Sequence, residues 1–167
     1  VVRRFFLAVC GRFSGAGTAL REAARTGVLG AYLPEFAAVR GLVRYEDFHS
    51  SPVDEHTLRA VEALAEIPAM KGPVGRFLNE VLERIGEPHL LVLSILLHDL
   101  GKAAGEIHVA EGVRVARAVC DRLALPEHDA LRVLFLVEHH MTMSDIAFYR
   151  DTEDLDVVQG FAGLVRS

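Results

Sequence analysis

The stretch Leu90-Leu91-Val92-Leu93-Ser94-Ile95-Leu96-Leu97-His98-Asp99-Leu100-Gly101-Lys102 decides the fold. Its apolar run, interrupted only by Ser94, is apolar on every helical face, so the helix it forms belongs at the centre of a core. The run is also far shorter than the ~20 residues that a membrane span needs. Pro88 marks the helix start, and the helix is expected to run through Leu100 to a cap at Gly101. His98 and Asp99 then stand at the end of a buried helix, a costly place for two ionisable groups unless they are paired or bound to metal.

Outward from this stretch the helical period dominates, and no run of alternating β-branched residues occurs, so the expected fold class is all-α. Helices are expected over 2–9, 14–25 (closed by Gly27), 54–67, 74–85, 106–123, from Pro126 to 141, and over 153–165. Residues 30–43, around Pro34, read as irregular or short helical structure. At 167 residues one domain is expected, with a core burying roughly 68–70% of the unfolded surface. The composition, 51% apolar and 25% charged, is that of a soluble globular chain. With 18 Lys and Arg against 23 Asp and Glu, the net charge is −5. No basic run is present to neutralise phosphates, which argues against a general nucleic-acid binder. Cys10 and Cys120 are far apart and in no metal-like spacing, which points to a reducing, cytoplasmic compartment. The start, Val1-Val2-Arg3-Arg4-Phe5-Phe6, shows no initiator Met and no signal-peptide core. The chain stops directly after the helical pattern Val157, Phe161, Leu164, so it reads as a domain cut from a longer polypeptide.

The chemistry lies in the eight histidines. His140 continues the stripe Val133, Leu136, Val137 and is expected to point inward. His56 precedes Ala60 by one turn and Ala63 by two, on a helix whose small residues would permit close packing. His108 begins a helix with Gly112, Val115 and Val119 on one close-packing face. Singly, each of these also fits a helix cap or a hydrogen-bonded core residue. Asp99 also fits a solvated terminal residue, although the negative end of a helix dipole is a poor place for a carboxylate. Together, imidazoles and a carboxylate at helix ends suit a divalent metal with positions left open for water. His49, His89, His128 and His139 read as surface or capping residues.

The order His56, His98-Asp99, His108, His140 resembles the HD superfamily of metal-dependent phosphohydrolases, named for the adjacent His-Asp pair. Longer blocks sharpen the likeness. Phe48-His49-Ser50-Ser51-Pro52-Val53-Asp54-Glu55-His56-Thr57, Leu97-His98-Asp99-Leu100-Gly101-Lys102 and Phe135-Leu136-Val137-Glu138-His139-His140-Met141-Thr142-Met143-Ser144 resemble the HD domain of bacterial bifunctional uridylyltransferase/uridylyl-removing enzymes. Upstream, Gly27-Val28-Leu29-Gly30-Ala31-Tyr32-Leu33-Pro34-Glu35-Phe36 is similar to the segment joining that family's nucleotidyltransferase and HD domains.

The resemblance implies an all-α HD-domain helical bundle with a metal site between central helices. Residues 1–46 would be a helical linker segment, and residues 47–167 an HD domain truncated at its C-terminus. It implies removal of uridylyl groups, as UMP, from the nitrogen-regulatory PII protein. The implied partners are PII and the nucleotidyltransferase and ligand-sensing domains of the same polypeptide, with no membrane and no nucleic acid. The implied cofactor is one or two divalent ions (Mn, Mg or Fe). By position, His56, His98 and Asp99 would be first-metal ligands, with Asp99 bridging if two ions are present. His108 and His140 would complete a second metal site or hold the phosphate, and Lys102 would face the phosphate. Arg150 is a candidate nucleotide contact that also fits a solvated surface residue.

Three departures from the family pattern stand out. Ser51-Pro52-Val53-Asp54-Glu55-His56 replaces a usual Tyr-Thr-Val-Asp-Glu-His, and Ala103-Ala104-Gly105-Glu106-Ile107 replaces a glycine-rich loop. The superfamily's last metal-binding aspartate has no match, since Asp145, Asp151, Asp154 and Asp156 all differ from it in position; incomplete or weak metal binding and poor hydrolysis are therefore expected of this chain. Two other readings remain open: an HD phosphohydrolase acting on free nucleotides or cyclic dinucleotides, and a catalytically silent regulatory module.

Overall fold

The computed structural model describes residues 1–43, 51–104 and 108–166, with His108 described by its backbone only, and no strand occurs among them. The helices are α1 (Val2–Cys10), α2 (Phe13–Arg25), α3 (Val28–Tyr32), α4 (Pro34–Ala38), α5 (Val53–Glu66), α6 (Gly72–Glu83), α7 (Pro88–Leu97), α8 (His108–Arg122), α9 (Glu127–Glu138), α10 (Thr142–Tyr149) and α11 (Leu155–Leu164). Short 3-10 segments cover Ile67–Ala69 and Leu100–Ala104. The fold is all-α, as the periodicity predicts. His49, residues 105–107 and the 46/47 boundary lie outside the described residues.

Helix α7 is the axis of the core. Leu90, Val92, Leu93, Leu96 and Leu97 are buried, and each such side chain contributes about 1.5–3 kcal/mol relative to exposure. Ser94 is buried too, and its hydroxyl donates to the Leu90 carbonyl at 2.8 Å, so the polar atom is satisfied within the helix. Around this axis pack α1, α5 and α9, with α2 against α5 and α8 against α9. Residues from α1 to α4 and from α5, α7, α8 and α9 share one apolar cluster. Helices α10 and α11 contain no buried residue among those described.

Several local expectations are corrected. Gly101 does not cap α7 in a left-handed conformation: it lies inside the 3-10 segment, where the Lys102 amide donates to the Asp99 carbonyl at 3.1 Å. The chain tightens there because α8 packs across the turn, with Gly112 beside the His98 carbonyl. The helix expected to reach residue 141 ends at Glu138, and α10 begins separately after a turn at His139-His140-Met141. The His140 ring holds the Val137 carbonyl at 2.7 Å, the acceptor that a continuing helix would have used. Leu136 is 39% exposed, so the inward stripe of α9 is Val133, Val137 and His140 without it.

Ala63 is also exposed, so the small residue that lets α5 approach its neighbour sits instead on α2. A Cβ built on Gly17 would lie 2.8 Å from the Glu62 Cα and 2.6 Å from its Cγ. Arg21, one turn on, pairs across the same contact with Glu55 at 2.7 Å and with Glu62 at 2.5 Å. These bonds hold both glutamates below their ordinary pKa, mainly through hydrogen bonding to Arg21.

Two predictions follow from the α2 and α5 contact. Gly17→Ala forces backbone apart and destabilises by on the order of 1–3 kcal/mol. Gly15→Ala, on the same helix with open space around it, stabilises by about 0.5–1 kcal/mol; urea unfolding midpoints of the two variants read these opposite signs. Arg21→Met, which keeps the alkyl stem, lowers stability at neutral pH by about 1 kcal/mol at most, because the pairs are a third exposed. Depressed carboxylate pKa values give stability that is present above the unfolded value and lost as pH falls through the folded one. The gap between wild type and Arg21→Met in pH-resolved urea unfolding therefore narrows below the ordinary glutamate pKa of 4.5.

Candidate metal centre

Three separate elements deliver side chains to one point. His56 comes from the first turn of α5, His98 and Asp99 from the end of α7, and His140 from the turn after α9. The His56 and His98 ring centroids are 5.4 Å apart, and those of His98 and His140 are 5.1 Å apart. Toward the Asp99 carboxylate, His98 Nε2 stands 3.2 Å and His56 Nε2 3.8 Å from Oδ2, while His140 Nε2 stands 3.8 Å from Oδ1. One ligand atom each from His56, His98 and Asp99 lie within 4.8 Å of one another.

The two C-terminal histidines are held in the same way. His98 Nδ1 lies 2.6 Å from the Ile95 carbonyl, and His140 Nδ1 lies 2.7 Å from the Val137 carbonyl. A carbonyl only accepts, so each Nδ1 carries the hydrogen and donates it; in the neutral ring this leaves the Nε2 lone pair facing the cluster. This is the backbone-oriented imidazole of metal sites, in which the second nitrogen fixes the tautomer of the first. Burial pushes the His140 pKa below its ordinary value, keeping the ring neutral at neutral pH.

Asp99 is 3% exposed. Burial by itself raises its pKa, but hydrogen bonding and charge from a His98 ring protonated at both nitrogens, and then from Lys102, outweigh burial and hold the carboxyl well below the usual carboxylate range. Lys102 reaches Oδ2 at 2.7 Å from one 3-10 turn further on. Among the described residues, nothing donates a hydrogen bond to Oδ1. A buried ionised oxygen without a donor among the described residues, faced by the Nε2 of a His140 ring whose Nδ1 carries the hydrogen, fits a divalent cation.

The remaining expected residues fall differently. His108 opens α8, but its side chain lies outside the described residues. Arg150 follows α10, is exposed and forms no hydrogen bond or ion pair with the cluster. His139 packs on Phe135, with centroids 4.6 Å apart, outside the cluster. A concavity of about 930 Å³, lined by residues such as Leu91, Leu134 and Phe135, includes none of the clustered residues. The site is marked by its converging ligand atoms. Sequence reasoning did not foresee the paired Nδ1 contacts, although a histidine just beyond a helix C-terminus is a recognisable carbonyl cap.

Titration with Mn²⁺ by isothermal calorimetry tests the arrangement. His98→Ala and Asp99→Ala should each weaken binding at least about tenfold, and equal binding by wild type and His98→Ala would refute the site.

Comparison with known proteins agrees with this geometry. The HD domain family matches residues 53–162, which include every clustered residue. A bifunctional uridylyltransferase/uridylyl-removing enzyme of Ruegeria pomeroyi is 36% identical over 168 residues, covering 99% of this chain and 18% of the relative. Enzymes with the same name from Phenylobacterium zucineum (40% identical over 147 residues; 84% of this chain, 15% of the relative) and Methylococcus capsulatus (36% over 165 residues; 98% and 19%) are also similar. The chain spans less than a fifth of the length of these relatives. With His98 and the buried Asp99 paired at the end of its central helix and this match over well over half its residues, the chain belongs to the HD domain family.

Proposed function

We propose that this chain is the phosphodiester-hydrolysing HD domain of a uridylyl-removing enzyme, releasing UMP from uridylylated PII. The observation that carries the reading is the buried Asp99 carboxylate, with an unsatisfied Oδ1 and three histidines around it. The relatives' shared name supports the uridylyl-removing activity. Residues 1–46 would join the domain to a nucleotidyltransferase domain of the same polypeptide, and residues 47–167 would form the HD unit. The two free, buried cysteines fit a cytoplasmic setting.

His56, His98, Asp99 and His140 would hold a divalent ion, with His108 as a further candidate. Such an ion supplies a lowered pKa for water and screens the negative phosphodiester. The chain's own residues do the rest. The Ile95 and Val137 carbonyls fix the ring orientations of His98 and His140 before substrate arrives. Lys102, about a quarter exposed, balances Asp99 and can turn its ammonium to a phosphoryl oxygen as negative charge builds there. The acidic surface is no obstacle, since the cations that meet the substrate are gathered in the site.

The test is UMP release from uridylylated PII in the presence of manganese, run beside free nucleoside monophosphates and cyclic dinucleotides. Release from PII alone supports the reading, whereas turnover of the free nucleotides alone replaces it with another HD phosphohydrolase. Lys102→Ala should lower kcat about 10²-fold while Mn²⁺ binding persists.

A further inference from the structure

The opposite end of α7 carries a second convergence of ligating atoms. Glu87 stands at the helix N-terminus, and His128 and Asp129 stand in the first turn of α9. One ligand atom from each lies within 4.8 Å of the other two. Glu87 makes no capping hydrogen bond to its own helix, and its carboxylate pairs with Arg132. His128 is largely exposed, and its Nε2 is 3.1 Å from Asp129 Oδ1.

Asp129 sets this cluster apart from an ordinary surface group. It is 6% exposed, and among the described residues its Oδ1 accepts no hydrogen bond, although the His128 Nε2 stands 3.1 Å away. An acidic residue in the first turn of a helix is favoured by the dipole, which accounts for an aspartate at this position. It does not account for burying that carboxylate with one oxygen aimed at a solvent-facing imidazole and left without a donor.

We infer that Glu87, His128 and Asp129 form a second divalent-cation site, of the zinc class, which clamps the N-terminal ends of α7 and α9. One imidazole and two carboxylates make a three-ligand zinc set with a fourth position open to water. Arg132 occupies Glu87 when the ion is absent and competes with it. The site stands about 15 Å from the His98 cluster, the length of the ten-residue α7 at 1.5 Å per residue. It joins the two helices whose far ends carry His98 and His140.

Titration of the chain with Zn²⁺ alone, by calorimetry, tests the inference without reference to activity. His128→Ala, an exposed change that leaves the core intact, should lower the zinc stoichiometry by one ion. Asp129→Asn should weaken that ion at least about tenfold. The competitor variant Arg132→Gln should tighten it, an effect that a purely structural role for Arg132 would not produce. A variant lacking the first site, His98→Ala with Asp99→Ala, should retain one zinc. Unchanged stoichiometry and affinity in His128→Ala would overturn the inference, as would weaker binding in Arg132→Gln.

Discussion

Asp99 is nearly dehydrated at the C-terminal end of α7, where the helix dipole opposes negative charge. A buried carboxylate in such a place has to be matched by positive charge or by donors. Lys102 satisfies one oxygen, while the other faces the His140 Nε2, whose ring carries its hydrogen on Nδ1. Around this unmet demand the domain is arranged. The apolar helix puts the carboxylate at the core's edge, the 3-10 turn brings Lys102 back over it, and α5 and α9 supply rings from either side.

Helices α7 and α9 run parallel. Their N-terminal ends meet at Glu87, His128 and Asp129, and the chain just beyond their last turns meets at His98 and His140. Parallel neighbours need a return connection, and α8 provides it, packing on both α9 and the Leu100–Ala104 turn. Because the helices are parallel, their C-terminal dipole ends fall on the same side, which makes that pole attractive to cations even before Asp99 is counted. The Ile95 and Val137 carbonyls, part of those dipole ends, are the groups that the His98 and His140 rings engage. One geometry thus favours a positive ion and turns the Nε2 atoms of both rings toward the Asp99 carboxylate.

Much of this was legible in the residues. An apolar run ending in His98-Asp99 predicts a buried charge, and His140 in register with Val133 and Val137 predicts a ring facing the same core, because both inferences need only helical periodicity. Leu136 and Ala63 were misplaced for a related reason: period gives the angular position of a face but not its width, and neighbouring helices decide which edge is covered. The close approach of α2 to α5 at Gly17 was invisible, since nothing near Gly17 in the chain says what lies opposite it. The burial of Asp129 was missed as well, because an aspartate in a first helical turn looks like an ordinary dipole partner.

The sequence by itself determined that the chain is helical, that the helix ending in His98-Asp99 is central, and that His140 stands in register with the buried Val133 and Val137, since periodicity and the cost of burying charge are properties of short stretches. Only the tertiary structure decided that α7 and α9 are parallel, that both terminal histidines hold backbone carbonyls and so present Nε2, and that Asp99 Oδ1 is left without a donor. Those features depend on the distance and direction between segments that lie tens of residues apart, which packing fixes and local sequence does not encode.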